Sequence, residues 1–366
     1  MKVIIKQASY DYNILKPIVF GIMDNFCRDI IRTDSKVVIK PNLLLPASPE
    51  KAVVTHPLII KAVVEYVVRC GAKVQISDSQ AMGTFERVLK ESGLRDTLKG
   101  MDVVFREFKN SVQVDIGEPF GRIEIAADAL GADVLINLPK LKTHVQMLMT
   151  LGVKNTFGCI AGLMKPEWHF KTGVNRDMFA NLLVRIHKAV RPAVTILDGI
   201  LAMEGEGPGK SGRPRQLGVI MGSDSAFALD ITVCRMIGLE PDKVFTNRAA
   251  REMGLATDEI DIQGRMPVIE NYVLPEITPL VFGPKLLHAA MRRHLVQRPV
   301  CKESTCKLCG ECWRYCPAKA ISHDSKKIHF DYDKCIRCYC CIEVCPHAAL
   351  MAEEPLAGRL IRKFRK

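Results

Sequence analysis

The sequence predicts an α/β fold with a mostly parallel sheet and helices on both faces, followed by a small C-terminal α+β domain rich in cysteine. Three observations support this prediction. Short apolar segments alternate with amphipathic ones, polar residues recur where the apolar segments end, and one cysteine pattern occurs twice near the C-terminus. Strands that alternate with helices favour parallel pairing, because each helix carries the chain back to the same end of the sheet.

Short apolar runs predict the strands, and amphipathic stretches between them predict the helices. Lys36-Val-Val-Ile-Lys is the first buried-type strand, and a helix over residues 58–70 follows it. Gly71 ends that helix, because glycine readily adopts the left-handed conformation of a helix C-cap. Further strands are predicted at residues 73–77, 101–105, 133–137, 193–197 and 217–221, and further helices at 85–98 and 177–190.

Polar side chains follow five of these strands. They are Lys40 and Asn42, Asp78 and Ser79, Asn137 and Lys140, Asp198, and Asp224. In open α/β sheets, ligands bind beyond the carboxyl ends of the strands. We therefore expect one shared cleft, and its predicted substrate-binding residues are Lys40, Asn42, Asp78, Ser79, Lys140, Lys142, Asn155 and Asp198.

The densest polar stretch is Asn137-Leu-Pro-Lys-Leu-Lys-Thr-His, followed by Gly152-Val-Lys-Asn and later by His169. Lysine and asparagine side chains bind carboxylate or phosphate groups, and histidine or lysine supplies a proton. We therefore predict His144, His169 and Lys154 as catalytic residues. The alternative interpretation is a solvated basic loop with a capping histidine.

Residues 204–212 form a glycine-rich loop, Glu204-Gly-Glu-Gly-Pro-Gly-Lys-Ser-Gly. It lacks the frame of a phosphate-binding P-loop and the helix that would follow it. An active-site lid and a plain connector are both compatible with this composition. No G-x-G-x-x-G pattern follows the first strand, which argues against NAD binding but leaves flavin binding open.

The strongest signal is the pattern C-x2-C-x2-C-x3-C-P, which occurs twice. The first run is Cys306, Cys309, Cys312, Cys316 and Pro317, and the second is Cys335, Cys338, Cys341, Cys345 and Pro346. Each residue of the second run lies 29 positions after its counterpart. This spacing is typical of proteins that hold two 4Fe–4S clusters. Zinc sites rarely need such a run, and a disulfide framework would need an export signal.

In two-cluster ferredoxins, the fourth cysteine of each run ligates the other cluster. We therefore assign cluster I to Cys306, Cys309, Cys312 and Cys345, and cluster II to Cys316, Cys335, Cys338 and Cys341. Residues 327–332 alternate and predict a strand between the runs. Residues 301–352 resemble the bacterial two-cluster ferredoxin fold. Six cysteines, at positions 27, 70, 159, 234, 301 and 340, fall outside the pattern, and the first four are expected to be buried structural thiols.

The chain is basic, with a formal net charge of +12 over 366 residues. Each oxidised cluster with its four thiolates contributes about −2, which leaves about +8. No nucleic-acid motif accompanies this charge, so we expect no nucleic-acid partner and instead an anionic small molecule, an acidic redox partner protein or an anionic membrane surface. The sequence lacks a signal-peptide core and any apolar run long enough to span a bilayer, so a cytoplasmic location is expected.

We predict four regions: an α/β domain over residues 1–275, a linker with a short basic helix over 276–300, the ferredoxin domain over 301–352, and a basic tail over 353–366. The last eight residues carry five cations and no acidic residue. Leu360, Ile361 and Phe364 would share one helical face that is suited to anionic lipid. A frayed, solvated tail is the alternative.

Several motifs together carry a family resemblance. Lys40-Pro-Asn-Leu-Leu, Thr55-His-Pro, Asp78-Ser79, Asn137-Leu-Pro-Lys-Leu-Lys-Thr-His and Val153-Lys-Asn resemble the prokaryotic domain of unknown function 362, over about residues 1–275. The resemblance implies a C-terminal two-cluster ferredoxin domain, which members of that family often carry, and it implies no particular reaction. Thr55-His-Pro before a helix also resembles, more distantly, the N-terminal domain of the nickel-dependent lactate racemase family.

Two functions are compatible with these features. The first is an oxidoreductase that passes electrons through the two clusters to an anionic substrate in the cleft. The second is a ferredoxin-like electron carrier, or a metal or cluster assembly factor, whose α/β domain docks a protein partner. The position of the ferredoxin domain distinguishes them, because direct electron transfer requires that the domain lie beside the cleft.

Overall fold

A computed structural model describes residues 1–162, 164–172, 175–277 and 294–358. The strands are β1 (Lys2–Gln7), β2 (Lys36–Pro41), β3 (Lys73–Ile76), β4 (Val104–Phe105), β5 (Ser111–Asp115), β6 (Arg122–Ala126), β7 (Val134–Leu138), β8 (Lys140–His144), β9 (Leu148–Thr150), β10 (Val194–Gly205), β11 (Gly212–Ser223), β12 (Asp261–Gln263), β13 (Arg298–Cys301), β14 (Ile321–His323), β15 (Ile328–Phe330) and β16 (Leu350–Glu353). The helices are α1 (Tyr12–Cys27), α2 (Pro57–Arg69), α3 (Phe85–Glu91), α4 (Leu94–Thr97), α5 (Ala127–Leu130), α6 (Gly152–Asn155), α7 (Met164–Thr172), α8 (Arg176–Val190), α9 (Ala226–Met236), α10 (Phe245–Glu252), α11 (Glu311–Arg314) and α12 (Cys340–Glu343).

One large sheet organises the first 263 residues, in the order β12-β1-β11-β10-β7-β2-β3-β4, with β8 beside β10 and β9 beside β8. The pairs β10–β7, β7–β2, β2–β3, β3–β4, β10–β8 and β1–β12 are parallel. The pairs β1–β11, β10–β11 and β8–β9 are antiparallel. The predicted fold class, a mostly parallel sheet with a small second domain, is confirmed.

Helices cover both faces of the sheet because successive residues of its central strands point to opposite sides. In β2, Val37 and Ile39 belong to the core that contains α1 and α2, whereas Val38 belongs to the core that contains α8. In β7, Ile136 faces the first core and Leu135 the second. This alternation buries the central strands of the sheet and leaves their ends as the place for polar groups.

Two predicted elements differ from the structure. The helix predicted over residues 85–98 is divided into α3 and α4, because Gly93 adopts a left-handed conformation with φ of 71°. The strand predicted over 217–221 is present in β11 but runs antiparallel to β10. A six-residue hairpin, and no crossover helix, joins the two strands. Asp224, at the end of β11, is therefore exposed and does not line the predicted cleft, which corrects that expectation.

The ferredoxin region contains two strand pairs, β13–β16 and β14–β15, both antiparallel. Its two short helices, α11 and α12, repeat the 29-residue offset of the cysteines. The strand predicted over 327–332 is present as β15. Within the described residues, no helix is long and apolar enough to cross a lipid bilayer. The predicted linker helix falls largely on residues 278–293, and the lipid-facing tail residues on 359–366, which are outside the described residues.

The glycine-rich loop between β10 and β11 packs against both β8 and the ferredoxin region. The carbonyl of Gly207 accepts a hydrogen bond from the amide of Val145, at 3.0 Å. A Cβ on Gly209 would lie 2.7 Å from the carbonyl oxygen of Glu343, in α12. The Ser211 hydroxyl donates to the carbonyl of Leu350, at 3.5 Å. The loop is therefore a packed contact between the two regions, and only a residue without a side chain fits at Gly209.

Candidate functional site

One cavity of about 70 Å³ lies where the strand ends meet the ferredoxin region. The α/β region contributes most of its wall, and Pro208 of the glycine-rich loop contributes one edge. The ferredoxin region closes the remaining side with Tyr315, Cys340, Glu343 and Val344. The small domain therefore lies against the strand ends, as direct electron transfer requires.

Nine of the eleven site residues predicted in the α/β domain line this cavity. They are Lys40, Asn42, Asp78, Ser79, Lys142, His144, Lys154, Asn155 and His169. The other two, Lys140 and Asp198, do not line it and instead contact each other. Their side chains are fully buried, and the Lys140 ammonium donates to Asp198 Oδ2 at 2.7 Å.

Tyr10 and His56 complete the surroundings of the Lys140–Asp198 pair. The Tyr10 hydroxyl donates to Asp198 Oδ1 at 2.8 Å, and the backbone amide of His56 donates to Asp198 Oδ2 at 2.9 Å. The rings of Tyr10 and His56 stack with their centroids 3.6 Å apart. Both carboxylate oxygens of Asp198 therefore accept hydrogen bonds from protein donors, and the pair lies outside the cavity lining.

Lys40 and Asp78 form a second buried ion pair, and this one lies in the cavity wall. The Lys40 ammonium lies 2.8 Å from Asp78 Oδ1. Asp78 Oδ2 also accepts the backbone amide of Leu43, at 2.8 Å. Gly158 packs directly over the pair, where a Cβ would collide with both charged groups. The two charges of this pair cancel each other.

Three asparagines connect the Lys142 ammonium to the centre of the sheet. Lys142 donates to Asn42 Oδ1 and to the carbonyl of Val53, both at 2.8 Å. Asn42 donates to Asn155 Oδ1, and Asn155 donates to Asn137 Oδ1, both at 2.8 Å. Burial lowers the pKa of Lys142 well below its ordinary value. In the described part of the chain, Lys142 has only uncharged acceptors within hydrogen-bond distance.

Lys154 and Lys165 also face the cavity. The Lys154 ammonium lies 5.7 Å from the ring centroid of Phe157, and no carboxylate of the described residues lies within ion-pair distance of it. Lys165 donates a hydrogen bond to the carbonyl oxygen of Ser79. Burial lowers the pKa of both ammonium groups, that of Lys165 to about 8.

The two cavity histidines are neutral. His144 Nδ1 accepts the backbone amides of Gln146 and Met147, at 3.1 and 3.3 Å, so the ring proton is on Nε2. That atom lies 3.1 Å from Glu343 Oε1. Burial lowers the pKa of His144 to about 4 and that of His169 to about 3. In the described residues, His169 Nδ1 and the hydroxyl of Thr150 are buried without a hydrogen-bond partner.

Sequence reasoning missed Glu343, Cys340 and Lys165. Glu343 lies between two cysteines of the second run, and its counterpart 29 positions earlier is the exposed Arg314, so the departure from the repeat was its only sequence signal. Cys340 lies outside the ligand pattern of the sequence, and the structure places it in the cavity wall. Lys165 follows Met164 in a stretch with no distinctive pattern, and only the packing of α7 brings it to the cavity.

The eight patterned cysteines surround two further cavities. Cys306, Cys309, Cys312 and Cys345 line one, and Cys316, Cys335, Cys338 and Cys341 line the other. The rest of each wall is mainly apolar. The amides of Ala320 and Ala349 donate to the sulfurs of Cys316 and Cys345, at 3.3 and 3.2 Å. Such hydrogen bonds suit thiolate ligands, so the residues present fit two cubane clusters.

Comparisons with known proteins distinguish the same two parts of the chain, the α/β region and the ferredoxin region. A family model described as a domain of unknown function (DUF362) matches residues 37–235, and a 4Fe–4S dicluster domain matches residues 305–349. A thylakoid-associated protein of Synechocystis sp. is 35% identical over 291 residues, which cover 78% of this chain and 88% of that protein. The chain therefore carries two 4Fe–4S clusters.

Two further similarities are more limited. Pyruvate synthase subunit PorD of Thermotoga maritima is 39% identical over 56 residues, which cover 15% of this chain and 57% of that subunit. The solved structure of the lactate racemase apoprotein from Thermoanaerobacterium thermosaccharolyticum matches with a TM-score of 0.40 at 16% identity, covering 61% of this chain and 54% of that chain.

Proposed function

Because the chain belongs to the DUF362 family and carries two 4Fe–4S clusters, we propose that it is an oxidoreductase that passes electrons to a small anion. The anion binds in the cavity between the α/β and ferredoxin regions. One observation carries this proposal: Cys340 and Glu343, from the helix beside the second cysteine set, line the same cavity as Lys154 and His144. A carrier whose α/β domain only docks a protein would not need a lysine-lined cavity closed by its own redox domain.

The cluster ligands in this proposal follow the two cysteine cavities. Cys306, Cys309, Cys312 and Cys345 hold cluster I, and Cys316, Cys335, Cys338 and Cys341 hold cluster II. When bound, each cluster exchanges one electron, so the pair supplies the two electrons of a two-electron reduction. A reducing compartment such as the cytoplasm suits these thiols.

The lysines of the cavity bind and orient the anion. Lys142, Lys154 and Lys165 present ammonium groups whose buried charge an anion compensates. The same groups are suited to donate the proton, because burial lowers the pKa of each and so makes it a stronger acid than an ordinary lysine. His144 and His169 are neutral and hold the ligand through hydrogen bonds, so the proton-donor role assigned to them from the sequence passes to a lysine, with Lys154 the central candidate.

The first cysteine set is the one that would exchange electrons with a partner protein, because it contains an exposed cysteine. Cys309 is the exposed cysteine of its set, and Lys302 and Lys307, which precede it in the chain, are exposed as well. An acidic redox partner protein would exchange electrons there, with its orientation set by the opposite charges. Contact of the basic tail with a membrane remains a separate prediction.

Lys154→Met tests the proposed function. Reduced holoprotein is mixed anaerobically with 2-oxo acids, unsaturated carboxylates and inorganic oxyanions, and cluster oxidation is followed by absorbance. At least one anion should reoxidise the wild type, and Lys154→Met should slow that reaction about 10- to 100-fold, because a charge-assisted hydrogen bond is lost.

Lys171→Met provides the matched control for this experiment. Lys171 lies in α7 near the cavity, but it is half-exposed and paired with Glu167. Its loss should leave the reoxidation rate unchanged. If no anion perturbs the clusters, and a pull-down instead returns one stoichiometric protein partner, the chain is a carrier or assembly factor.

A further inference from the structure

The charged groups that line the cavity do not balance. Four are cationic, Lys40, Lys142, Lys154 and Lys165, and two are anionic, Asp78 and Glu343. Lys40 and Asp78 neutralise each other at 2.8 Å. The other three lysines face one carboxylate, which already contacts His144. Two positive charges are therefore left without a protein counter-charge in the cavity wall.

Burying a charge without a counter-charge raises the free energy of the folded protein. Such a charge is therefore usually paired with an opposite charge of the protein, or it lies where a ligand supplies that opposite charge. Lys142 is 1% exposed and Lys165 is 7% exposed. Their acceptors are Asn42 Oδ1 and the carbonyls of Val53 and Ser79, which carry no charge. The imbalance therefore points to a ligand with about two negative charges.

Two buried hydrogen-bonding atoms point to the same ligand. The Thr150 hydroxyl and His169 Nδ1 both belong to residues that line the cavity. These residues are 5% and 4% exposed, and neither atom has a partner among the described residues. Buried polar atoms of native proteins are nearly always hydrogen-bonded. A ligand with several oxygen atoms would supply a hydrogen-bond partner to each of these two atoms.

From the charge count and these two atoms, we infer that the cavity selects a small divalent oxyanion, such as a short dicarboxylate or a phosphate group. This inference rests on the proposed function, because it names the substrate class for the same cavity. The cavity has a volume of about 70 Å³, so only a small ligand fits in it. Monovalent analogues of the same shape would leave one lysine uncompensated.

Malonate and malonamate form the test pair, because they share a shape and differ by one charge. Binding to oxidised holoprotein is measured by isothermal titration calorimetry under anaerobic conditions, with hydrogen phosphate in parallel. Malonate or phosphate should bind at least tenfold more tightly than malonamate. Lys154→Met should reduce the preference for malonate about tenfold, and Lys171→Met should leave it unchanged.

Three results would overturn or limit the inference in distinguishable ways. Equal dissociation constants for malonate and malonamate would refute charge selection. If neither malonate nor phosphate binds, and Lys154→Met instead shifts the midpoint potential of a cluster, the lysines compensate the cluster charge and the inference fails. If malonate binds selectively but no anion oxidises the clusters, the ligand class stands and the oxidoreductase proposal falls.

The affinity for malonate should decrease above about pH 8. Burial disfavours the charge of Lys165 and lowers its pKa to about 8, with Asp78 and Cys159 opposing that effect and Lys40 and Lys154 adding to it. Binding requires the protonated ammonium, so the dissociation constant should rise up to about tenfold per pH unit above this value. Titrations from pH 6.5 to pH 9.5 would check it, and Lys165→Met should flatten the profile. An unchanged profile in Lys165→Met would show that another group sets the pH dependence.

Discussion

Replacing Cys345 with serine is expected to remove cluster I and spare cluster II, although Cys345 belongs to the second cysteine run. The reason is spatial: Cys345 closes the cavity formed by Cys306, Cys309 and Cys312. Cys316→Ser should do the reverse, because Cys316 closes the cavity of the second run. Iron content should decrease from about eight to about four atoms per chain in each variant. Electron paramagnetic resonance of the reduced protein identifies the cluster that remains.

Cys301→Ser and Cys340→Ser are the matched controls for the cluster experiment. Cys301 packs beside the first cysteine cavity, and Cys340 lies in α12 beside the second. Neither lines a cysteine cavity, so both variants should retain the full iron content. If Cys345→Ser loses cluster II and keeps cluster I, each run holds its own cluster and the crosswise assignment is wrong.

Lys140→Met is expected to destabilise the fold by about 3–5 kcal/mol, because it leaves the Asp198 carboxylate buried without its cation. The change should lower the urea midpoint of the holoprotein, measured anaerobically by circular dichroism. The affinity for malonate should change little in the protein that remains folded, since Lys140 does not line the cavity. This outcome would separate Lys140 from Lys142, although the two lysines are neighbours on β8.

Lys16→Met is the control for this stability measurement. Lys16 pairs with Glu65 at 2.7 Å, but its side chain is 43% exposed, so its loss should cost less than about 1 kcal/mol. A stable Lys140→Met variant that no longer binds malonate would restore the substrate-binding role predicted from the sequence.

Most of the cavity was predictable from the sequence, because ligands of open α/β sheets bind beyond the carboxyl ends of the parallel strands. Asn42 follows β2, Asp78 and Ser79 follow β3, and parallel strands bring such ends together. The prediction that Asp224 lines the cleft was wrong, because the hairpin before β11 reverses the direction of that strand and places its end at the opposite edge. The segment between the two predicted strands, residues 198–216, is long enough for a crossover or for a hairpin, and only the pairing of β11 with β1 and β10 decides between them.

Side-chain pairing was less predictable than strand position. Lys140 and Lys142 look equivalent in the sequence, but one contacts Asp198 and the other contacts Asn42. The difference arises from residues about 60 and 100 positions away in the chain. Glu343 was hidden for a related reason, because its neighbours are explained by the cysteine pattern and its own contact, His144, lies about 200 positions earlier. Local patterns carry no information about such distant partners.

The position of Glu343 and Cys340 connects one wall of the lysine-lined cavity to the part of the chain that holds the clusters. Both residues belong to a short helix that contains Cys341 of the second run, and a helix of four residues has little stability of its own. Iron–sulfur ligation fixes the surrounding loops, because metal binding contributes directly to the folding of small metal-bound domains. A newly made chain without iron would form its large sheet and still lack one wall of the cavity. We therefore expect cluster insertion to precede binding of the proposed anion.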